Sequence, residues 1–181
     1  LRAGLWPRLE RDDRYFLPLP VIRPARNVIT GPTGLVTSLE GAFERFDKKR
    51  NRADLRQVIQ QPDGLDRIMV ELQTLAQRRS GAKEPPTIVF SVDQGEELFA
   101  AEGREESCRF LAIVGTALSP PIGNAESAIA ARKRVIAVIA IRSDSYEDLQ
   151  TSKPLSTVKH NPFNLKPLAR EEFKAVIEEP A

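Results

Sequence analysis

Two runs of nearly unbroken apolar residues, TIVFSVD at 87–93 and RVIAVIAIR at 134–142, dominate the hydropathy pattern of the chain. Continuous apolar character of this kind belongs to strands covered on both faces in a parallel sheet. A third run, YFLPLPVIRP at 15–24, is apolar and partly β-branched. Pro18 and Pro20 within it cannot donate to a ladder, which pushes that strand to a sheet edge. FNLKPL at 163–168 reads as a short fourth strand.

Between these runs the period changes to that of helices. After a turn at Gly31, Pro32 and Gly34, the residues Leu35, Val36, Leu39, Ala42, Phe43 and Phe46 recur at helical spacing. DLRQVIQQ at 54–61 predicts a short helix, and LDRIMVELQTLAQRR at 65–79 a stronger one with Leu65, Ile68, Met69, Leu72 and Leu75 on its apolar face. ESCRFLAIVGTAL at 106–118 and REEFKAVIEEP at 170–180 complete the helical set, and LRAGLWPRL at the start reads as helix without a polar cap. Strands alternating with helices predict an α/β fold, a three-layer sandwich with a mostly parallel sheet.

At 181 residues the chain is long enough for one domain with its own core. Its 27 basic and 25 acidic side chains leave a net charge of +2, too balanced for the electrostatic footprint of a nucleic-acid or acidic-membrane binder. No apolar run approaches the roughly 20 residues that cross a bilayer. The single cysteine, Cys108, cannot form an internal disulfide and shares a helical pattern with Leu111, Val114 and Leu118, which predicts a buried thiol in a reducing, cytoplasmic protein.

The chemistry is concentrated where the two apolar strands end. Asp93 closes TIVFSVD at the carboxyl edge of the sheet, where ligands of open α/β folds bind. A Walker B acid stands in this position and helps hold Mg²⁺, usually through its water shell. An acid that merely caps the next helix has the same appearance. Glu96 and Glu97 follow within a turn, and either could polarise an attacking water. Arg142 closes the other run; beside Asp93 it could bind phosphate oxygens through its guanidinium, or simply pair with Asp144.

In order and spacing, LRAGLWPRL, LPLPVIRP, IVFSVDQGEELF, VIAVIAIRSDSYEDL and LKPLAREEFKAVIEEPA resemble the STAND class of signal-transduction ATPases, most closely the bacterial novel STAND group. In that group the first segment follows a GxxGxGKSS phosphate loop. The resemblance therefore implies a partial P-loop NTPase domain over 1–181 that begins in the helix after the Walker A loop and lacks the phosphate-loop strand, which would lie between RVIAVIAIR and FNLKPL. The family's DQFEELF is matched at Asp93, Gln94, Glu96, Glu97, Leu98 and Phe99, with Gly95 in place of an aromatic, a loss of packing expected to loosen the acidic turn. Its TLRADFY is matched at Arg142, Asp144 and Tyr146, with Ala140 in place of the Thr.

By this resemblance Asp93 is the Mg²⁺ acid, Glu97 or Glu96 the water-activating carboxylate and Arg142 the γ-phosphate sensor. It further implies an ATP-dependent switch in a larger protein that hydrolyses ATP, self-associates when ATP-bound and carries a fused sensor such as WD repeats, the segment alone being inactive. A non-catalytic scaffold of the same fold is the rival reading, favoured by Gly95 and Ala140. Other features carry less: GPTG at 31–34 has no Lys after its second Gly and reads as a turn and helix cap. His160 lacks companions at ligand spacing, KKRNR at 48–52 suits a helix C-terminal dipole, and Trp6 reads as a packing residue.

Overall fold

A computed structural model of the chain describes residues 4–119 and 134–165. Three parallel strands, β1 (Phe16–Pro18), β2 (Thr87–Val92) and β3 (Val135–Ile139), form one sheet in the order β1-β2-β3. Ile88 faces Val135 and Val92 faces Ile139, so the two apolar runs are adjacent and in register, as the sequence predicts. Ile88, Val89, Phe90 and Val92 are buried, consistent with a central strand sandwiched on both faces. β3 departs from that expectation: Ile136 is exposed and Val135, Ala137, Val138 and Ile139 are only half-buried.

β1 is shorter than the predicted run because its prolines limit pairing. Leu19 N–H donates to the Val89 carbonyl at 2.9 Å and Ile22 N–H to the Ser91 carbonyl at 3.0 Å. Alternation turns Pro18 and Pro20 the other way, toward the outer edge where a missing N–H leaves no broken ladder.

The helices are α1 (Leu5–Arg11), α2 (Leu35–Glu44), α3 (Arg52–Ile59), α4 (Gly64–Ser80) and α5 (Arg104–Leu118), with a short helix at Tyr146–Thr151. Both crossovers step the same way along the sheet; right-handed connections then lie on one face. There Leu35, Leu39, Phe43, Leu55, Ile68, Leu72 and Phe110 close over Ile88, Phe90 and Val92. Phe90 and Phe110 pack with ring centroids 5.9 Å apart and ring planes tilted by 30°. α1 packs against β1, and Trp6 is buried with its indole N–H donating to the Leu19 carbonyl at 3.0 Å. Helices thus lie on both sides of the sheet, an α/β fold.

Several expectations are corrected. Residues 163–165 of FNLKPL form no strand, and Phe163 and Leu165 are exposed; the remainder of that run and REEFKAVIEEP lie outside the described residues. Cys108 is exposed. The buried face of α5 is Ser107, Phe110, Leu111, Val114, Gly115 and Ala117, rotated from the predicted stripe, which shares only Leu111 and Val114 with it. The KKRNR cluster is held by carboxylates rather than by a helix dipole: Lys48 and Arg50 both reach Glu71, and Arg52 reaches Glu40 at 2.6 Å. GPTG is a turn leading into α2, with Gly34 as its N-cap. A Cβ on Gly34 would stand 2.6 Å from the Val28 carbonyl oxygen, which accounts for glycine there.

Candidate functional site

Each of the three strands runs into a charged residue at the same rim: Arg23 after β1, Asp93 after β2 and Arg142 after β3. Backbone bonds carry the alignment past the strand ends. Asp93 N–H donates to the Ile22 carbonyl at 2.8 Å, and Ala140 N–H to the Val92 carbonyl at 2.9 Å. The chain then turns through Gln94, in the left-handed region at φ 61°, into a 3-10 turn at Gly95–Phe99.

Gly95 fastens that turn to β3. Its N–H donates to the Ala140 carbonyl at 2.8 Å. An added Cβ would lie 2.7 Å from Ile139 Cγ2 and 3.1 Å from the Ala140 oxygen. The absent aromatic therefore does not loosen the acidic turn: glycine allows a close approach that any side chain would obstruct.

The predicted site residues are neighbours with separate partners. Asp93 accepts two hydrogen bonds from Arg23 on one oxygen, Oδ2, from Nη2 at 3.1 Å and Nε at 3.3 Å. Glu96 Oε2 accepts from the Arg142 backbone N–H at 3.4 Å. Glu97 Oε2 accepts from the Ala25 N–H at 2.7 Å. The Arg142 guanidinium pairs with Asp144 at 2.7 Å, the alternative that the sequence left open, and both side chains are mostly exposed. Asp93 and Arg142 thus share a rim, while their charged groups are directed to other residues.

Residues 23–30 lie as a strap along this rim, tied by successive carboxylates of the acidic segment 93–106. Besides Arg23 on Asp93 and Ala25 on Glu97, Arg26 pairs with Glu102 at 2.8 Å. Glu106 accepts from the Ile29 N–H at 3.1 Å and from Thr30 Oγ1 at 2.8 Å. Gly103, at φ 77°, admits the strap, since a Cβ there would lie 2.2 Å from the Arg26 carbonyl oxygen. Ala25 at φ 42° and Gln94 at φ 61° are two non-glycine residues held in the left-handed region at this edge. The sequence reading missed Arg23, although a charge ending an apolar run is the same signal that singled out Asp93 and Arg142.

Among the described residues no group of three or more His, Cys, Asp or Glu side chains could cage a metal. The carboxylates at the rim are Asp93 and, within the following turn, Glu96 and Glu97; nucleotide-bound Mg²⁺ takes one or two carboxylates and completes its octahedron with water and phosphate. His160 lies 3.3 Å from the Leu155 carbonyl and belongs to no metal cluster among those residues. A groove of about 370 Å³ runs between residues 59–66 and α5, lined in part by Gln60, Asp63, Arg109 and Thr116, and holds none of the predicted site residues. Among the described residues no helix is long and apolar enough to cross a membrane.

Comparison with curated proteins and with solved structures gives no significant match. The family model described as Novel STAND NTPase 1 matches residues 1–181. Parallel strands in register, an acid and an arginine at their common carboxyl edge and a family match over the entire chain lead to one conclusion: this chain belongs to the Novel STAND NTPase 1 family, a domain of the STAND NTPase type.

Proposed function

We propose that the chain is the body of an ATP- and Mg²⁺-dependent switch within a longer multidomain protein. The observation that carries this reading is the bonding across the ends of β2 and β3: Val92 to Ala140, Ala140 to Gly95 and Arg142 to Glu96. A carboxylate and a guanidinium leaving one rim are the groups that Mg²⁺-nucleotide recognition needs. Asp93 is assigned as the metal-site acid, through water, and Arg142 as the γ-phosphate contact, swinging from its exposed pair with Asp144. Bound Mg²⁺ neutralises phosphate charge.

Glu96 is the better candidate for orienting the hydrolytic water, because it adjoins Arg142 whereas Glu97 is bonded to the strap. Differential contacts to the γ-phosphate supply the free energy that separates the ATP state from the released one. Self-association in the ATP state and a fused sensor module such as WD repeats complete the reading, on family grounds. The non-catalytic scaffold draws support from the internal partners that Asp93 and Arg142 already have.

Equilibrium binding of a fluorescent ATP analogue to the full-length protein decides between the two. Asp93→Asn is expected to weaken binding about tenfold or more in Mg²⁺ and to change it far less in EDTA, since without the metal Asp93 meets Arg23 and not the nucleotide. Absence of saturable, Mg²⁺-dependent binding by the wild type would favour the scaffold.

A further inference from the structure

We propose that Arg23 is the built-in counter-cation of Asp93, displaced when Mg²⁺ and nucleotide arrive, so that the strap at 23–30 is held down in the metal-free state and loosened in the loaded one. The inference rests on the assignment of Asp93 to the metal site and adds a residue and an element to it.

The geometry carries it. Asp93 would otherwise hold an uncompensated carboxylate at the end of a buried strand, with only 28% of its side chain exposed. A guanidinium supplies the missing positive charge through two charge-assisted bonds to a single oxygen. Hydrated Mg²⁺ needs that same oxygen region and the same charge balance. One carboxylate cannot fully neutralise both cations, and two cations on it repel one another. Arg23 is 44% exposed, so water can take up the guanidinium when it leaves.

The strap gives the exchange a consequence. Its next anchor, the Ala25 N–H on Glu97, adjoins Arg23 and holds a residue at φ 42°, a conformation that alanine keeps only while the surroundings impose it. The backbone of Arg23 stays bonded to Thr33, its N–H donating to the Thr33 carbonyl at 3.0 Å and its carbonyl accepting from Thr33 Oγ1 at 2.9 Å, so loss of the side-chain anchor is felt beyond residue 23, first at Ala25. The distal anchors on Glu106 stay, because they are independent of Asp93. Arg56 of α3 donates to the Thr30 carbonyl at 3.3 Å and connects the strap to the helical layer.

The test uses the full-length protein as wild type, Arg23→Gln and Arg23→Lys. The Mg²⁺ concentration that half-saturates binding of a fluorescent ATP analogue is measured alongside hydrogen exchange of peptides covering 23–30. Competition from a partly exposed pair is modest: Arg23→Gln is expected to lower the half-saturating Mg²⁺ about three- to tenfold, and Arg23→Lys about twofold. Strap exchange should quicken in metal-free Arg23→Gln. In the wild type it should quicken on adding Mg²⁺ with nucleotide, but not on adding nucleotide alone. An unchanged or raised Mg²⁺ requirement in the variants overturns the competition while leaving the nucleotide site intact. Failure of the wild type to bind Mg²⁺-nucleotide overturns both. Should Arg23→Gln not fold, the Lys variant and the wild-type exchange decide the matter, and a strap insensitive to metal refutes the proposal.

Discussion

Gly95→Ala tests whether the acidic turn is seated on β3. The new Cβ would meet Ile139 Cγ2 at 2.7 Å, where carbon atoms in good contact stand about 3.5 to 4.0 Å apart. Ile139 is β-branched and stiff, and the second obstacle, the Ala140 oxygen at 3.1 Å, is backbone. Overpacking of this kind costs roughly 1–3 kcal/mol. At about 2 kcal/mol, hydrogen exchange of the peptides around 93–99 in the full-length protein should quicken about thirtyfold, if the turn opens as a local unit. Combining the change with Ile139→Ala removes the nearer obstacle, so Gly95→Ala should cost about 1 kcal/mol less in that background. Exchange rates unchanged by Gly95→Ala would mean that the turn does not sit against β3, and the shared rim would lose its fastening.

Glu96→Gln should lower ATP turnover by roughly 10² to 10⁴ with nucleotide binding retained, as for loss of a water-activating carboxylate. Glu97→Gln should mainly quicken exchange at Ala25, and the reverse pattern would exchange the two roles. Trp6→Phe removes the indole bond to Leu19 and should destabilise the domain by about 1 kcal/mol in denaturant unfolding. Cys108 should react with a thiol reagent in the native protein at the rate of an exposed cysteine, and strong protection would contradict its placement on α5.

The parts of this account legible in the sequence were those governed by continuous hydrophobicity. TIVFSVD and RVIAVIAIR could be paired because few arrangements bury two such runs other than side by side, and Asp93 and Arg142 then had to leave the same edge. Side-chain partners were not legible. Arg23 and Asp93 are 70 residues apart in the chain, and no local pattern couples them. Cys108 was misplaced because two helical stripes, one through Ser107 and one through Cys108, share Leu111 and Val114, and only the packed neighbours choose between them. Gly95 was misread because a missing aromatic suggests lost packing, whereas close backbone approach leaves no mark in a single sequence. The basic cluster at 48–52 suggested a helix dipole because Glu40 and Glu71, which hold it, come from α2 and α4 and are not its neighbours in the chain.

Substituting Mn²⁺ for Mg²⁺ with bound nucleotide and mapping paramagnetic broadening of backbone amides tests the shared rim most directly. Broadening centred on Asp93–Glu97 and Ile141–Asp144, and lost in Asp93→Asn, is the predicted result. Broadening centred on the groove between residues 59–66 and α5, with the strand ends unaffected, would contradict the account.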